Sequence, residues 1–441
     1  MTSRPLGWLG ILRLGLVQTA LGAVVVMTTS TLNRVMVVEY MLPATIPGIL
    51  VGLHYAVQVL RPRWGYGSDL GGRHTPWILA GMGILALGGF GAAFATVALG
   101  TSKMLGLTIA ALAYLAIGVG VGAAGTNLLV LLAKRVAPEL RAPAAMLVWV
   151  MMIAGFIVTT AVAGHNLDPF SPERLLVVSG TISVVALVMT VLALYGIETR
   201  ADAVVVPRTN TEPEASFRDA LKDVWNEPQA RRFAIFVFVS MLAYSSQDLI
   251  LEPFAGVVFE LTPGQTTKLS SVQHGGVLIG MVIVALLVNK WTAGRFGSLR
   301  TWMIAGCIAS AGALALLSLG AVIGSAWPLR ATVFALGIAN GAYAVAAIGS
   351  MMGMVGEGQA SRGGTRMGLW GAAQAIAFGL GGLAGSTASD IARAFMGAPV
   401  PAYALVFAAE SVLFLVSAVL AASIARTSSR PAAANLQAHA G

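Results

Sequence analysis

The chain has 441 residues, 57% of them hydrophobic and only 10% charged, and its mean hydropathy of +0.82 lies far above that of water-soluble domains. That balance excludes a soluble globular enzyme and fits a protein dissolved in a bilayer. The formal charge of +9 comes from basic residues scattered among short loops, which argues against nucleic acid as a partner, and the single cysteine, Cys307, excludes a disulfide framework.

The first residues, MTSRPLGWLGILRLG, lack a compact apolar core followed by a small-residue cleavage site, so this stretch is expected to be retained. Apolar runs of about 20 residues, enough to cross roughly 30 Å of hydrocarbon, then follow one another. They fall near 14–38, 43–60, 77–99, 104–132, 143–164, 174–196, 232–253, 268–289, 301–323, 328–352, 366–388 and 401–424. Runs of this length predict helices, because within lipid every backbone group must be satisfied internally. The long polar stretch between the sixth and seventh runs divides the chain into a first six-helix half (1–196), a linker (197–231), a second half (232–424) and a tail (425–441). In the linker, Phe217, Leu221 and Trp225 recur at helical spacing and predict an amphipathic helix lying on the membrane surface.

Lysine and arginine test this count, since they should favour alternate loops. Arg61, Arg63 and Arg73, then Lys134, Arg135 and Arg141, the linker, Lys290, Arg295 and Arg300, and the tail all fall on the side of the N-terminus. Both termini are therefore expected to be cytoplasmic. Trp64, Trp77, Trp291, Trp302 and Trp327 sit near span ends, where an aromatic belt is expected.

Between the second and third runs stands GYGSDLGGRH, with Gly65, Asp69, Gly72, Arg73 and His74 in the register G-x-x-x-D-x-x-G-R-basic. Glycines let two helix ends turn and approach, and Asp69 and Arg73 bring opposite charges to helix termini. This loop resembles the signature of the major facilitator superfamily, although Leu70 stands where many members carry a basic residue. A degenerate echo, NKWTAGRFGSLR, follows the eighth run and suggests an internal repeat. The resemblance implies an all-α polytopic membrane protein with the major facilitator fold, twelve transmembrane helices in two six-helix halves. A literal G-x-G-x-x-G at Gly120, Gly122 and Gly125 follows no strand, so a nucleotide site is rejected. Gly118 with Gly122, and Gly381 with Gly385, are read instead as small-residue contacts between helices. No Walker sequence, metal-ligand spacing or nucleophile elbow is found, and an enzyme is not expected.

Ionisable residues inside the runs are the candidate functional groups. Arg34 and Glu39 stand at the end of the first run, and Asp248 and Glu252, one helical turn apart, at the corresponding end of the seventh. Two carboxylates so close repel unless a proton or a cation joins them. Arg34 is therefore expected to neutralise Asp248 and Glu252 as part of an outer gate, with Pro253 breaking the seventh helix beside them. His54, sharing a helix face with Gln58, and His274 lie in corresponding runs, with Gln247 and Gln273 as further binding candidates. Neutral imidazole is a good axial ligand for the metal of a tetrapyrrole, although a lone histidine within a membrane more often serves as a hydrogen bond between helices. No directly bound metal is expected.

The stretch RLGLVQTALGAVVVMTTSTLNRVMVVEYMLPATIPGILVGLHYAVQVLRPRWGYGSDLGGRHTPWI, with QDLILEPFAGVVF, resembles the PucC and LhaA family of purple phototrophic bacteria from about Arg13 to past residue 420. The resemblance implies a protein of the bacterial inner, intracytoplasmic photosynthetic membrane. Its implied cargo is bacteriochlorophyll or a late precursor, delivered to light-harvesting antenna polypeptides, with pigment-synthesis enzymes as further partners. His54 or His274 would then ligate the pigment magnesium. A proton-coupled solute transporter and a pure assembly scaffold for single-span antenna polypeptides are the alternatives.

Overall fold

The computed structural model describes residues 5–58, 73–137, 140–198, 222, 225–288, 297–357 and 363–424. Gly65, Asp69 and Gly72 of the loop motif, Phe217 and Leu221 of the linker, and the tail 425–441 lie outside the described residues. Among the described residues the chain forms twelve long helices and no strand. In the first half these are α1 (Trp8–Glu39), α2 (Thr45–Val57), α3 (Thr75–Ala98), α4 (Lys103–Arg135), α5 (Arg141–Asn166) and α6 (Pro172–Leu194). The second half has α7 (Pro228–Val258), α8 (Pro263–Leu287), α9 (Leu299–Ile323), α10 (Leu329–Glu357), α11 (Gly363–Met396) and α12 (Pro399–Ser423). Among the described residues ten helices are long and apolar enough to cross a membrane, and α2 is a shorter apolar helix. Running alternately up and down, the twelve helices bring the start of α1 and the end of α12 to one face of the bundle, called here the terminal face; the opposite one is the far face.

Helix starts follow local chemistry. Thr262 caps α8 in a reciprocal box with Gln265, and Ser298 caps α9 in one with Thr301. Ser102 and Ser171 each accept from a backbone N–H of the first turn of α4 and α6. Proline opens α3, α6, α7, α8 and α12, where its missing N–H costs nothing.

The helices are apolar all round, as expected when one face meets lipid and another meets protein. Outward positions carry aliphatic residues, as Val177 and Leu192 of α6 show at 67% and 68% exposure. Inside, each half has its own main core, the first also taking in Leu249 of α7, and a small cluster of Met152, Ile153 and Val277 bridges the two. Leu14, Met82, Tyr114, Leu128 and Leu175 belong to the first, and Phe233, Leu314, Tyr343, Trp370 and Phe414 to the second. The halves meet along two lateral seams, α5 with α8 and α2 with α11, and centrally where α1 meets α7 and α8. The α5 seam is close because glycine lines both sides: a Cβ on Gly164 would stand 2.6 Å from the Gly264 carbonyl oxygen. Gly381 behaves as its spacing predicts, since a Cβ there would meet the Leu242 carbonyl of α7 at 2.5 Å.

One expectation about the helices is corrected. Pro253 does not break α7, which runs on to Val258. Proline withholds the N–H that would bond the carbonyl of Leu249 four residues earlier. The side chain of Asn33 on α1 supplies the missing donor, its Nδ2 lying 2.6 Å from that oxygen.

Candidate functional site

The last third of α1 departs from α-helical geometry, with π-helical turns at Thr28–Leu32 and Val35–Glu39. Such turns bond i to i+5, as Tyr40 N–H does to Val35 O at 3.1 Å, and they widen the helix by about one residue per turn. Residues five apart then stack on one side. Arg34 and Glu39 are such a pair: Nη1 of Arg34 bonds Oε1 of Glu39, and Nη2 donates to the carbonyl of Leu261 in the second half at 2.8 Å. The expectation that Arg34 neutralises Asp248 and Glu252 is corrected: it forms its salt bridge with Glu39 instead, and toward Glu252 only its charge is felt. Among the described residues, the Arg34 to Glu39 contact is the ion pair formed, and neither Asp248 nor Glu252 has a basic partner within salt-bridge distance.

Hydroxyl groups hold Glu252 instead. The residue is 2% exposed, and its Oε1 accepts from Ser30 Oγ on α1 and from Ser270 Oγ on α8. Three helices from both halves therefore converge on one carboxylate. Beside it Thr31 and Thr267 bond each other across the same boundary at 3.0 Å. Asp248, one turn earlier on α7, is half-buried with Gln273 next to it. Gln247 is fully buried, and neither its amide oxygen nor its nitrogen has a hydrogen-bond partner; Oε2 of Glu252 is equally bare. A buried polar atom left in this state costs about 1–3 kcal/mol. The neighbourhood of Gln247, Asp248 and Glu252 is thus where a polar group of a ligand would gain most.

The two histidines are held differently. Nδ1 of His274 lies 2.8 Å from the carbonyl oxygen of Ser270, so it must carry the proton and Nε2 keeps its lone pair. Its ring stands edge to face with Phe156 of α5 at 5.0 Å. In His54 it is Nε2 that is engaged, 3.1 Å from Gln58 Nε2, the amide donating. His54 lies on α2, which packs on α4 and α11, whereas His274 lies on α8 against α5. The structure therefore separates the two residues that sequence treated as a pair. Near Asp248 a set of rings joins three helices: Tyr55 of α2 stacks on Phe378 of α11 at 5.5 Å, and Tyr244 of α7 meets the same ring edge-on at 5.9 Å.

Of the loop motif, Arg73 and His74 are described. His74 precedes α3; its backbone N–H and that of Thr75 both donate to Glu198, the latter at 2.6 Å. Its ring bonds Asn127 at 3.1 Å and Lys134 at 3.0 Å, tying α3 to α4. The sequence reading missed Glu198 in this role. It also missed Glu410 of α12, 2% exposed, whose carboxylate accepts from Ser246 Oγ at 2.6 Å. The signal was present in FAAESVLF, a lone acid in an apolar run. Among the described residues no three His, Cys, Asp or Glu side chains come together as a metal-binding group.

Solved structures share this architecture. The nucleoside transporter NupG aligns with a TM-score of 0.68 at 14% identity, covering 94% of this chain and 99% of its own. The peptide transporter POT aligns with a TM-score of 0.66 at 13% identity, covering 95% of each chain. At such identities the likeness concerns the fold, that of the major facilitator transporters. Sequence relatives are closer. The "Bacteriochlorophyll synthase 44.5 kDa chain" of Rhodobacter capsulatus is 51% identical over 420 residues, 95% of this chain and 96% of its own. "Protein PucC" of Cereibacter sphaeroides is 31% identical over 434 residues, 93% of this chain and 91% of its own. The sequence model of the family described as "PUCC protein" matches residues 31–429, so this multi-pass membrane chain belongs to the PucC family.

Proposed function

We propose that the chain is a membrane carrier or chaperone that binds bacteriochlorophyll, or a late precursor, and delivers it to light-harvesting polypeptides during antenna assembly. The observation that carries this reading is the near full-length relationship to a protein named as a bacteriochlorophyll synthase chain. We take that name as association with the pathway and not as catalysis, because the cluster around Gln247, Asp248 and Glu252 offers hydrogen bonds and no nucleophile with its base. The chain would work in the bacterial inner, intracytoplasmic photosynthetic membrane with both termini cytoplasmic. Antenna polypeptides would be its partners, joined by pigment-synthesis enzymes.

His274 is the better candidate for an axial ligand to the pigment magnesium, since its Nε2 lone pair is set by the bond from Nδ1 to Ser270. Purification from native membranes in mild detergent tests the reading: far-red absorbance should travel with the protein. His274→Ala should reduce bound magnesium pigment severalfold, and His54→Ala should reduce it less. A colourless wild-type protein would remove the carrier reading, and if antenna subunits accompany it the scaffold reading takes its place. The fold itself favours a second reading, a proton-coupled transporter of a small solute with Asp248 or Glu252 as the proton acceptor. Solute uptake that collapses with the proton gradient would support it.

A further inference from the structure

Two carboxylates cross between the halves at the far face, and they do so in opposite directions. Asp168, just past the end of α5 in the first half, accepts from Thr262 Oγ1 at 2.8 Å and from the Gly264 backbone N–H at 3.2 Å, both at the start of α8 in the second half. Asp390, in the last two turns of α11 in the second half, accepts from the Ala44 N–H at 3.0 Å and from both the N–H and the hydroxyl of Thr45 at 2.7 Å, at the start of α2 in the first half. In a fold built as two equivalent halves, α5 corresponds to α11 and α2 to α8. One arrangement thus occurs twice: an aspartate from one half, and a threonine hydroxyl with backbone N–H groups from the first turn of a helix in the other.

Each of these helix starts presents N–H groups without intrahelical partners and the positive end of the helix dipole, which a carboxylate satisfies together. Close packing lies beneath both. Gly264 is pressed against Asp168 and Gly164, and a Cβ on Gly48 would stand 2.9 Å from Ser386. The other bonds between halves described above, from Ser30, Thr31, Asn33 and Arg34, lie in the same far portion of the bundle.

We propose that Asp168 and Asp390 form a paired clasp, one at each lateral seam, that keeps the far face shut and releases it only when both let go. With one clasp broken, the other still fixes the opposite edge of the far face, so the halves cannot separate there. The inference rests on the fold and does not depend on the cargo.

Distances between spin labels at Lys103 and Arg330 test it. Both are exposed, open far-face helices in different halves, and take part in none of the contacts above. In a Cys307→Ala background, Lys103→Cys with Arg330→Cys should give one narrow distance distribution. Asp168→Asn or Asp390→Asn alone should shift only a small fraction to longer distance. The two together should shift several times the sum of the single effects, while a Met41→Cys, Lys103→Cys pair within the first half stays unchanged. A double variant with the parental distribution, or a single variant with the full shift, would overturn the proposal. If the double variant does not purify, each clasp can be replaced by a disulfide, Asp168→Cys with Thr262→Cys and Asp390→Cys with Thr45→Cys. Reduction should then raise amide exchange at least tenfold at 30–39 and 249–258, segments outside the clasps; equal exchange in both redox states would overturn the proposal.

Discussion

Asn33 and Pro253 form one unit, although they are 220 positions apart in sequence and lie in different halves. Because Pro253 gives no N–H to Leu249, Asn33→Ala should leave a buried carbonyl bare and destabilise the protein by about 1–3 kcal/mol. Adding Pro253→Ala returns a backbone donor, so the double variant should recover most of the loss in a thermal melt. Additive losses instead would show that Asn33 acts elsewhere. The partners of Arg34 could not be foreseen in the same way as its location. Its place in the membrane follows from composition, but the choice of Glu39 over Asp248 and Glu252 depends on the π-helical turn of α1. A reader assuming 3.6 residues per turn puts residues five apart on divergent faces. Likewise the histidines and glutamines were found by type and depth, whereas their hydrogen bonds, which distinguish His274 from His54, depend on helix rotation.

At the scale of the element, α11 offers a contrast within a single helix. Gly381 and Gly385 lie against α7, where a Cβ on Gly385 would stand 2.8 Å from the Ser246 carbonyl oxygen, whereas a Cβ added to Gly371 would meet nothing within 4 Å. Gly385→Val should therefore reduce the monodisperse fraction in size exclusion sharply. Gly371→Ala should leave it unchanged and raise the melting temperature slightly, since alanine favours the helix by up to about 1 kcal/mol over glycine. The spans themselves were legible because hydrocarbon thickness fixes their length and permits no other lipid-exposed structure. Their ends and small-residue faces followed from prolines, caps and glycine spacing. Glu410 escaped because one acid does not interrupt the apolarity of a long run, and Asp168 and Asp390 because nothing in a sequence shows which helix start a carboxylate will reach.

For the whole molecule, the two main cores, one in each half, make a further expectation. Chains cut within the polar linker, so that each piece carries six helices, should assemble when co-expressed and purify together, because each piece keeps its own core. The seams carry buried polar groups such as Glu252 and Thr267, so either piece alone should aggregate. Failure of the pieces to co-purify would show that the halves need the covalent link to find each other. The proline in α7 has a mechanical consequence. Its missing N–H obliges α1 to hold α7 at one height, so a motion that keeps Asn33 on the Leu249 carbonyl is a turn about that point and never a slide along it. Pro253 thereby makes an axle of one of the places where the two halves touch, and while the far face stays shut, movement about it has its longest lever arm at the terminal face.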